Sequence, residues 1–467
     1  MAPPDFNTVH AALAYWAQQR PQQIALDDGT QRLDYATLAQ QVSQRAAALQ
    51  AAQAPAICWV DEGGGAAAQL LSFLAIVSAN RTAAVSDPDW PPAMRQQIDA
   101  RIASDRVSEA PAASAESAFY IGFTSGSSGL PKGFRRSHGS WVRSFEICRD
   151  TFGEIACTTM LAPGRLSHST FLFGALLGLW SGAGARLQSR FSGAAALDTL
   201  ARNDAAAITA VPSQLIVMLE LAQRRKLASM PGVRLLMIGG APWNRSRTPE
   251  LQALFPQARI VEFYGASETS FMTWTDSDAS LPDQIVGQPF ANVELRIDAA
   301  TPATAGLIYV RSPMVFSDYV LLAEQTDQPA LLRDGDWLSV RDVGHLDAQG
   351  RLHLMGRQQR MLKTQGKNLF PEEVENILAT HPAVAAVSVQ GSPDAVRGVQ
   401  VVALLQLRSA VSAAELSTWC RQRLEAYKAP RHFYRCSDWP LTASGKTDHQ
   451  QLAQRLLTTS TCLTALP

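Results

Sequence analysis

The chain has 467 residues and carries 41 basic and 41 acidic side chains, so recognition of an anion must depend on local groups and not on an overall basic field. This balance excludes bulk electrostatic binding of nucleic acid or of an anionic membrane. Hydrophobic residues make up 46% and charged residues 18%, which excludes wholesale disorder and fits roughly two to four domains at about 150 residues per domain.

Helical and strand patterns alternate in the first part of the chain. We predict a helix ending near Pro21 and a short strand after it, then a helix over residues 35–52, a strand over 56–60 and a helix over 66–80. Residues 103–118 are rich in Ala, Ser and Pro, which is typical of a connector. The alternation predicts an α/β protein.

Three apolar runs further along, Ala205–Pro212, Val233–Pro242 and Ala258–Gly265, each end in Pro or Gly. They predict buried strands of a parallel sheet whose ends carry the chemistry. From Thr301 the turn residues become closely spaced, which indicates a β-rich subdomain. After Gly356 a smaller α+β unit follows, with helices predicted over 371–381 and 413–427 and strands over 384–391 and 399–407.

The chain shows no sign of a secreted or membrane protein. Its N-terminus has no charged start followed by a long apolar core, and the longest apolar run, Phe171–Trp180, is shorter than the roughly 20 residues of a membrane span. We therefore expect a cytoplasmic protein. The cysteines have no CxxC spacing and are interpreted as free thiols: Cys58, Cys148, Cys157, Cys420, Cys436 and Cys462.

The stretch FTSGSSGLPKG, residues 123–133, places glycines, hydroxyls and Lys132 directly after an apolar strand-like run. Such a stretch is either a flexible linker or a loop whose backbone N–H groups bind phosphate. It is not a Walker A loop, because Pro131 occupies the place of the second glycine and Gly133 follows the lysine. The candidate phosphate-binding residues are Thr124, Ser125, Gly126, Ser127, Ser128, Gly129 and Lys132.

This stretch strongly resembles the phosphate loop of the adenylate-forming superfamily, which contains acyl- and aryl-CoA synthetases, freestanding adenylation domains and luciferases. EFYGASETS, residues 262–270, resembles the second signature of that superfamily. The resemblance implies that Tyr264 stacks on adenine, Ser267 reaches the α-phosphate and Glu268 binds Mg²⁺, a role that suits a carboxylate. The neighbouring residues assigned to nucleotide binding are Phe263, Gly265, Gly240, Ala241 and Pro242.

The C-terminal half continues the resemblance. Asp342 is implied to accept the ribose hydroxyls, with Arg357 as its partner, although Val340 and Arg341 stand where the family more often has Thr-Gly. The frame TASGK implies that Lys446 is the catalytic lysine, although His449 replaces a usual arginine three residues later.

The resemblance also implies a mobile small domain. Its hinge is Gln359, where the family commonly has Asp or Lys, and a segment around Gly366 reaches the thiol channel. The expected organisation is a large N-terminal domain over 1–357 with α/β sheets and a β-rich subdomain, a hinge over 358–360 and a small α+β domain over 361–467.

The implied activity is ATP- and Mg²⁺-dependent conversion of a carboxylic acid to acyl-AMP, followed by transfer to coenzyme A. Transfer to the phosphopantetheine of an acyl carrier protein, and a non-catalytic nucleotide-binding protein, are the alternatives. His168 is assigned, with Lys446 and Glu268, to the catalytic residues. It lies in a stretch without the acid that an α-amino substrate requires, so we expect a compact and preferably aromatic acid. The residues assigned to its pocket are His168, Phe171, Phe173, Ser213, Gly239 and Phe271.

Overall fold

The computed structural model describes residues 5–61, 63–104, 113–124, 131–299, 304–320, 331–364, 367–394, 398–442, 446–458 and 460–467. Twelve α-helices lie in these ranges: α1 (Ala11–Gln19), α2 (Tyr35–Ala51), α3 (Gly65–Ser78), α4 (Pro92–Ser104), α5 (His138–Phe152), α6 (Ser169–Trp180), α7 (Gly193–Ala201), α8 (Pro212–Arg225), α9 (Thr248–Leu254), α10 (Pro371–Ala379), α11 (Ala413–Arg421) and α12 (His449–Leu457).

The strands of the first half are β1 (Ile24–Asp27), β2 (Arg32–Asp34), β3 (Ile57–Trp59), β4 (Thr82–Ala84), β5 (Ala118–Thr124), β6 (Lys132–Ser137), β7 (Met160–Ala162), β8 (Ala185–Leu187), β9 (Ala207–Ala210), β10 (Leu235–Ile238), β11 (Arg259–Ala266), β12 (Ser270–Asp276) and β13 (Ile285–Pro289). Those of the second half are β14 (Glu294–Asp298), β15 (Gly306–Arg311), β16 (Asp318–Tyr319), β17 (Leu332–Asp334), β18 (Trp337–Ser339), β19 (Asp342–Leu346), β20 (Leu352–Arg357), β21 (Leu362–Thr364), β22 (Lys367–Leu369), β23 (Val384–Asp394), β24 (Gly398–Leu407), β25 (His432–Cys436) and β26 (Leu463–Ala465).

Short polar side chains start several of the helices. The side chains of Asp34, Ser137, Ser412 and Asp448 each accept a hydrogen bond from a backbone N–H in the first turn of the helix that follows. Each such cap satisfies a donor that the helix itself leaves unpaired, and its loss costs about 1 kcal/mol. These four caps therefore fix where α2, α5, α11 and α12 begin.

A five-stranded sheet carries the glycine-rich stretch. Its strand order is β16-β6-β5-β4-β3, and β5 and β6 are antiparallel neighbours in which Thr124 pairs with Lys132. The stretch therefore connects two paired strands of one sheet and does not link two domains. Its residues Ser125 to Gly129 lie outside the described residues.

A large sheet joins the predicted parallel sheet to the predicted β-rich subdomain. Its strand order is β17-β18-β15-β19-β20-β13-β12-β11-β10-β9-β7-β8-β1-β2. Strands β9, β10 and β11 are parallel, as predicted, whereas β11 and β12 are antiparallel. The strand direction thus changes between β11 and β12, so EFYGASETS lies at the junction between the parallel part of the sheet and its antiparallel part.

Helix α6 forms the centre of the core behind this sheet. Every residue from Phe171 to Trp180 is buried, and each fully buried large apolar side chain stabilises the fold by about 1.5–3 kcal/mol. A Cβ at Gly178 would lie 2.4 Å from the carbonyl oxygen of Gly184, so glycine is needed for this close packing. No helix among the described residues is long and apolar enough to cross a membrane.

The C-terminal part forms a separate α+β layer. Strands β23, β24, β25 and β26 make one sheet, and β21 and β22 form a two-stranded ribbon. The predicted helix over 413–427 is too long, because α11 ends at Arg421. The amides of Arg423 and Leu424 both donate to the carbonyl of Cys420, and this tight turn ends the helix. The mixed α/β architecture with a small C-terminal domain is confirmed.

Candidate active site

Lys132 and Tyr319 lie at adjacent ends of the five-stranded sheet. Lys132 is the first residue of β6, and its neighbour β16 contains Tyr319. The Lys132 Nζ atom is 5.9 Å from the centre of the Tyr319 ring, within the range of a cation–π contact. Lys132 is therefore held at the strand end, beside the glycine-rich connection.

Glu268 lies in the turn between β11 and β12. The Tyr319 hydroxyl donates to its Oε1 atom at 2.7 Å, and its backbone carbonyl accepts from the Phe316 amide at 2.7 Å. Within the turn, the Ala266 amide donates to Thr269 Oγ1 at 2.9 Å. These bonds fix both the backbone and the carboxylate of Glu268.

Arg136 binds the same turn through its backbone carbonyls. It is 1% exposed, and it donates to the carbonyls of Ser267 at 2.8 Å and Met314 at 2.6 Å. Burial lowers the pKa of Arg136 to about 9, and the nearby Glu268 charge acts in the opposite direction. The guanidinium therefore stays charged at neutral pH and fixes Ser267 immediately before Glu268.

A second carboxylate, Asp342, lies at the start of β19 and is 4% exposed. It pairs across the strands with Arg357, whose Nε atom is 3.3 Å from Asp342 Oδ1. The Tyr264 hydroxyl donates to Asp342 Oδ2. Burial raises the pKa of Asp342, opposed by Arg357, and burial together with the Asp342 charge raises the pKa of Tyr264 well above its usual value.

Asp342 Oδ1 is buried, and its contact with Arg357 Nε at 3.3 Å is an ion pair without good hydrogen-bond geometry. A carboxylate oxygen accepts more than one hydrogen bond, so a ligand hydroxyl would complete its set of donors. The oxygen therefore fits the role of accepting a ribose hydroxyl that the resemblance implies.

Lys446 reaches the cleft from the small domain. Its backbone closes a turn with Thr442, whose amide donates to the Lys446 carbonyl at 2.7 Å. A Cβ at Gly240 would lie 3.9 Å from Lys446 Cε. Lys446 is exposed to solvent. Desolvation by the surrounding protein and then the Arg357 charge lower the pKa of Lys446, whereas the Glu268 charge raises it.

The turn after β10 separates Lys446 from a row of phenylalanine rings. Gly239 is buried, whereas Gly240, Ala241 and Pro242 are exposed. A Cβ at Gly239 would lie 2.3 Å from Phe263 Cζ, so the Phe263 ring packs directly on this glycine. Phe263 is thereby directed away from Tyr264, the residue that contacts Asp342.

The phenylalanine row runs from the cleft into the core. Phe263 contacts Phe271 edge-on with ring centres 4.7 Å apart, and Phe271 contacts Phe173 at 4.9 Å. Phe263 is half-buried, whereas Phe271 and Phe173 are 6% and 8% exposed. Phe263 is thus the ring of this row nearest to solvent, and the other two support it.

The remaining residues assigned to the acid pocket are more dispersed. His168 precedes α6, and its ring lies 6.2 Å from that of Phe171. Phe171 packs against Gly164, where a Cβ would lie 2.3 Å from the ring. Ser213 is exposed in the first turn of α8.

Among the other assigned residues, Gly265 approaches the β12 backbone so closely that a Cβ would lie 1.9 Å from the Ser270 carbonyl oxygen. Gln359 is exposed. Gly366 lies outside the described residues.

Sequence reasoning missed Tyr319 and Arg136. Neither belongs to a recognisable motif, and Tyr319 is separated from Glu268 by 51 residues. The sequence carries no clear signal, since Arg136 lies in the largely polar strand KGFRRS, directly after Arg135.

The fold and this set of side chains define a nucleotide-dependent ligase of the adenylate-forming type. The chain matches the AMP-binding enzyme family over residues 65–320 and the AMP-binding enzyme C-terminal domain over residues 373–446. It belongs to the AMP-binding enzyme family and is an AMP-forming acid–thiol ligase.

Similar proteins include two ligases of Bacillus subtilis. An uncharacterized acyl-CoA ligase, YhfT, is 34% identical over 78% of this chain and 74% of its own length. A 2-succinylbenzoate–CoA ligase is 30% identical over 71% of this chain and 67% of its own length. Both alignments extend over most of the two chains.

Solved structures agree with the fold. The o-succinylbenzoate CoA synthetase of Bacillus subtilis, in complex with its acyl-adenylate intermediate, has a TM-score of 0.81 and 25% identity and covers 97% of this chain and 98% of its own. The anthranilate CoA ligase AuaEII has a TM-score of 0.83 at 20% identity, covering 98% and 99% of the two chains, and supports the fold alone.

Proposed function

We propose that this enzyme activates a compact aromatic carboxylic acid with ATP and transfers the acyl group to the thiol of coenzyme A. The observation that carries the proposal is the position of Lys446. It lies against Gly240 and within electrostatic reach of Glu268 and Arg357, so one cleft holds the cation, the carboxylate and the ribose partner that adenylation requires.

In the first half-reaction, an oxygen of the acid attacks the α-phosphorus of ATP and pyrophosphate leaves. Asp342 and Tyr264 hold the nucleoside, Lys132 and the glycine-rich connection hold the departing phosphates, and the Lys446 ammonium stabilises the negative charge that develops between acid and phosphate. Glu268 would hold a Mg²⁺ ion, which would supply further charge neutralisation.

The protein offers a limited set of ligands to that cation. Among the described residues, no group of three or more His, Cys, Asp or Glu side chains could hold a metal ion. Mg²⁺ typically takes one or two carboxylates together with phosphate oxygens. Glu268, oriented by Tyr319 at 2.7 Å, fits a cation that arrives with the nucleotide.

In the second half-reaction, the thiol sulfur attacks the acyl carbonyl carbon, AMP leaves and the thiol proton is released. Under this proposal Lys446 lies beside the acyl phosphate during adenylation, so the thiol enters only after the small domain has moved. This requirement supports division of the chain into residues 1–357 and 361–467 about Gln359, with the segment at Gly366 entering the cleft in the second state.

The phenylalanine row supports a flat and compact acid. Phe263 narrows the space behind Gly239, and aromatic rings gain about 0.5–1.5 kcal/mol from edge-on contacts beyond their burial. Arg165, three residues before His168, pairs with both Asp87 at 3.1 Å and Asp89 at 2.5 Å. Both carboxylates therefore already have a cation and are poor partners for a substrate ammonium. The names of relatives that act on 2-succinylbenzoate point the same way.

The test of this function is ATP–pyrophosphate exchange with a panel of acids. We expect exchange with hydroxybenzoates or similar compact acids to exceed that with dodecanoate or with amino acids. Phe263 packs directly on Gly239, and the carboxylates of Asp87 and Asp89 are already paired with Arg165. Thiol acceptors, namely coenzyme A and a holo acyl carrier protein, are then compared with the best acid. Preference for dodecanoate would contradict the pocket assignment, and preference for the carrier protein would contradict the acceptor.

Replacement of Lys132 by alanine tests the role of the glycine-rich connection. We expect KM for ATP to rise about tenfold, because one charge-assisted hydrogen bond to phosphate is lost, while KM for the acid and binding of acyl-AMP stay unchanged. The measurement is pyrophosphate exchange with each substrate varied in turn. Unchanged ATP kinetics would show that the stretch has only a structural role.

A further inference from the structure

The residue after β20 is still held by the large domain. The Gln358 amide donates to the Arg341 carbonyl at 2.9 Å, and Arg341 Nη1 donates to Gln358 Oε1 at 2.8 Å. These two bonds continue the pairing of Asp342 with Arg357 by one more residue. Gln358 is therefore fixed to the loop that precedes Asp342.

The residue after Gln359 is held by the small domain instead. Arg360 Nη1 lies 3.0 Å from Glu372 Oε1, and Arg360 Nη2 lies 2.6 Å from Glu375 Oε1. Both glutamates belong to α10, and Glu375 is 9% exposed. Only Gln359, an exposed residue, lies between the two anchored neighbours.

The anchor on the large domain is built on an unfavourable backbone conformation. Arg341 has a φ of +65°, in the left-handed region where a side chain is disfavoured and glycine is not. A residue other than glycine held in this conformation indicates that its side chain has a use, and the bond to Gln358 is such a use.

We propose that Arg341 is a positioning residue that clamps Gln358 and confines the rotation of the small domain to Gln359. This inference rests on the proposed function, because it assumes that the small domain rotates between the two half-reactions. With Gln358 and Arg360 both fixed to their own domains, rotation about one residue returns Lys446 to the same place in each cycle. Without the clamp, rotation spreads back to Arg357 and disturbs its pairing with Asp342.

Hydrogen exchange of the Gln358 amide tests the clamp without any substrate. Three full-length proteins are compared with the wild type: Arg341→Met, which keeps the strained backbone and loses the donors; Arg341→Lys, which keeps a donor; and Arg351→Met, a control on the same hairpin that breaks the Arg351–Asp347 pair at 2.8 Å. We expect exchange over residues 356–361 to be about tenfold faster in Arg341→Met, largely restored in Arg341→Lys and unchanged in Arg351→Met.

Pyrophosphate exchange supplies a second readout. Arg341→Met is expected to lower kcat of adenylation about fivefold, because the aligned state is less populated, with KM for the acid unchanged. The inference is overturned if Arg341→Met leaves the exchange of residues 356–361 unchanged, if faster exchange extends over both domains, or if Arg341→Lys rescues neither exchange nor kcat. Absence of pyrophosphate exchange in the wild type would contradict the proposed function alone, since amide exchange still tests the clamp.

Discussion

Replacement of Lys446 by alanine is expected to lower the rate of acyl-AMP formation by about 10²–10³, because the charge that develops in the transition state loses its nearest cation. Thiolysis of preformed acyl-AMP should change by less than about twofold, since Lys446 must leave the cleft for that step. Burial lowers the pKa of Lys446, so its ammonium loses the proton at a lower pH than a free lysine, whose pKa is about 10.4. In the wild type, the adenylation rate should therefore begin to fall in the alkaline range before that pH is reached. The two half-reactions are measured separately, by pyrophosphate exchange and by release of AMP from acyl-AMP.

Arg435 provides a control for the loss of positive charge. It is exposed on β25, the strand that leads into the segment carrying Lys446. Arg435→Ala should leave both half-reactions unchanged. An equal loss of both half-reactions in a folded Lys446→Ala protein would exclude the proposed role of the lysine.

The second large effect is expected at Asp342, where a substitution should weaken nucleotide binding without lowering the stability of the fold. Asp342→Asn is expected to weaken binding of AMP about 100-fold, because two hydroxyls lose a charged acceptor. The measurement is calorimetric titration with AMP. Tyr264→Phe, which removes one hydroxyl and keeps the ring, should have a much smaller effect.

The Asp342→Asn protein should be no less stable than the wild type at neutral pH. Burial raises the pKa of Asp342 in the folded state, so the folded protein binds this proton more tightly than the unfolded chain. The stability contributed by the group is therefore present below the usual aspartate pKa of about 3.9 and is lost as the pH rises through the folded value. At pH 7 the buried Asp342 carboxylate therefore lowers the free energy of unfolding, and asparagine removes this penalty. Arg357 loses its partner in the variant but stays solvated, because its side chain is 67% exposed. Thermal unfolding at pH 7 measures this, and a clearly lower Tm would contradict the argument.

The parallel strands could be predicted because each combines an apolar run with a Pro or Gly at its end. Tyr264, Glu268 and Asp342 could be singled out because they lie within sequence motifs, and the structure places them at or beside the ends of β11 and β19; their roles stay predictions. The contact between Tyr319 and Glu268 could not be predicted, because it joins separate strands through a fold that local patterns do not specify. The end of α11 was misjudged for a related reason, since residues 422–427 keep a helical pattern while the turn at Cys420 is stabilised by tertiary packing.

Arg136 joins parts of the chain that are far apart in sequence. Its bonds reach over 131 residues to Ser267 and over 178 residues to Met314, and contacts across such separations require large loops to close. The turn that holds Glu268 therefore acquires its final shape only after the two sheets have docked. A partly folded chain would bury much of its apolar surface and still lack a correctly positioned Glu268 carboxylate, so nucleotide-dependent protection during refolding would report the last stage of assembly.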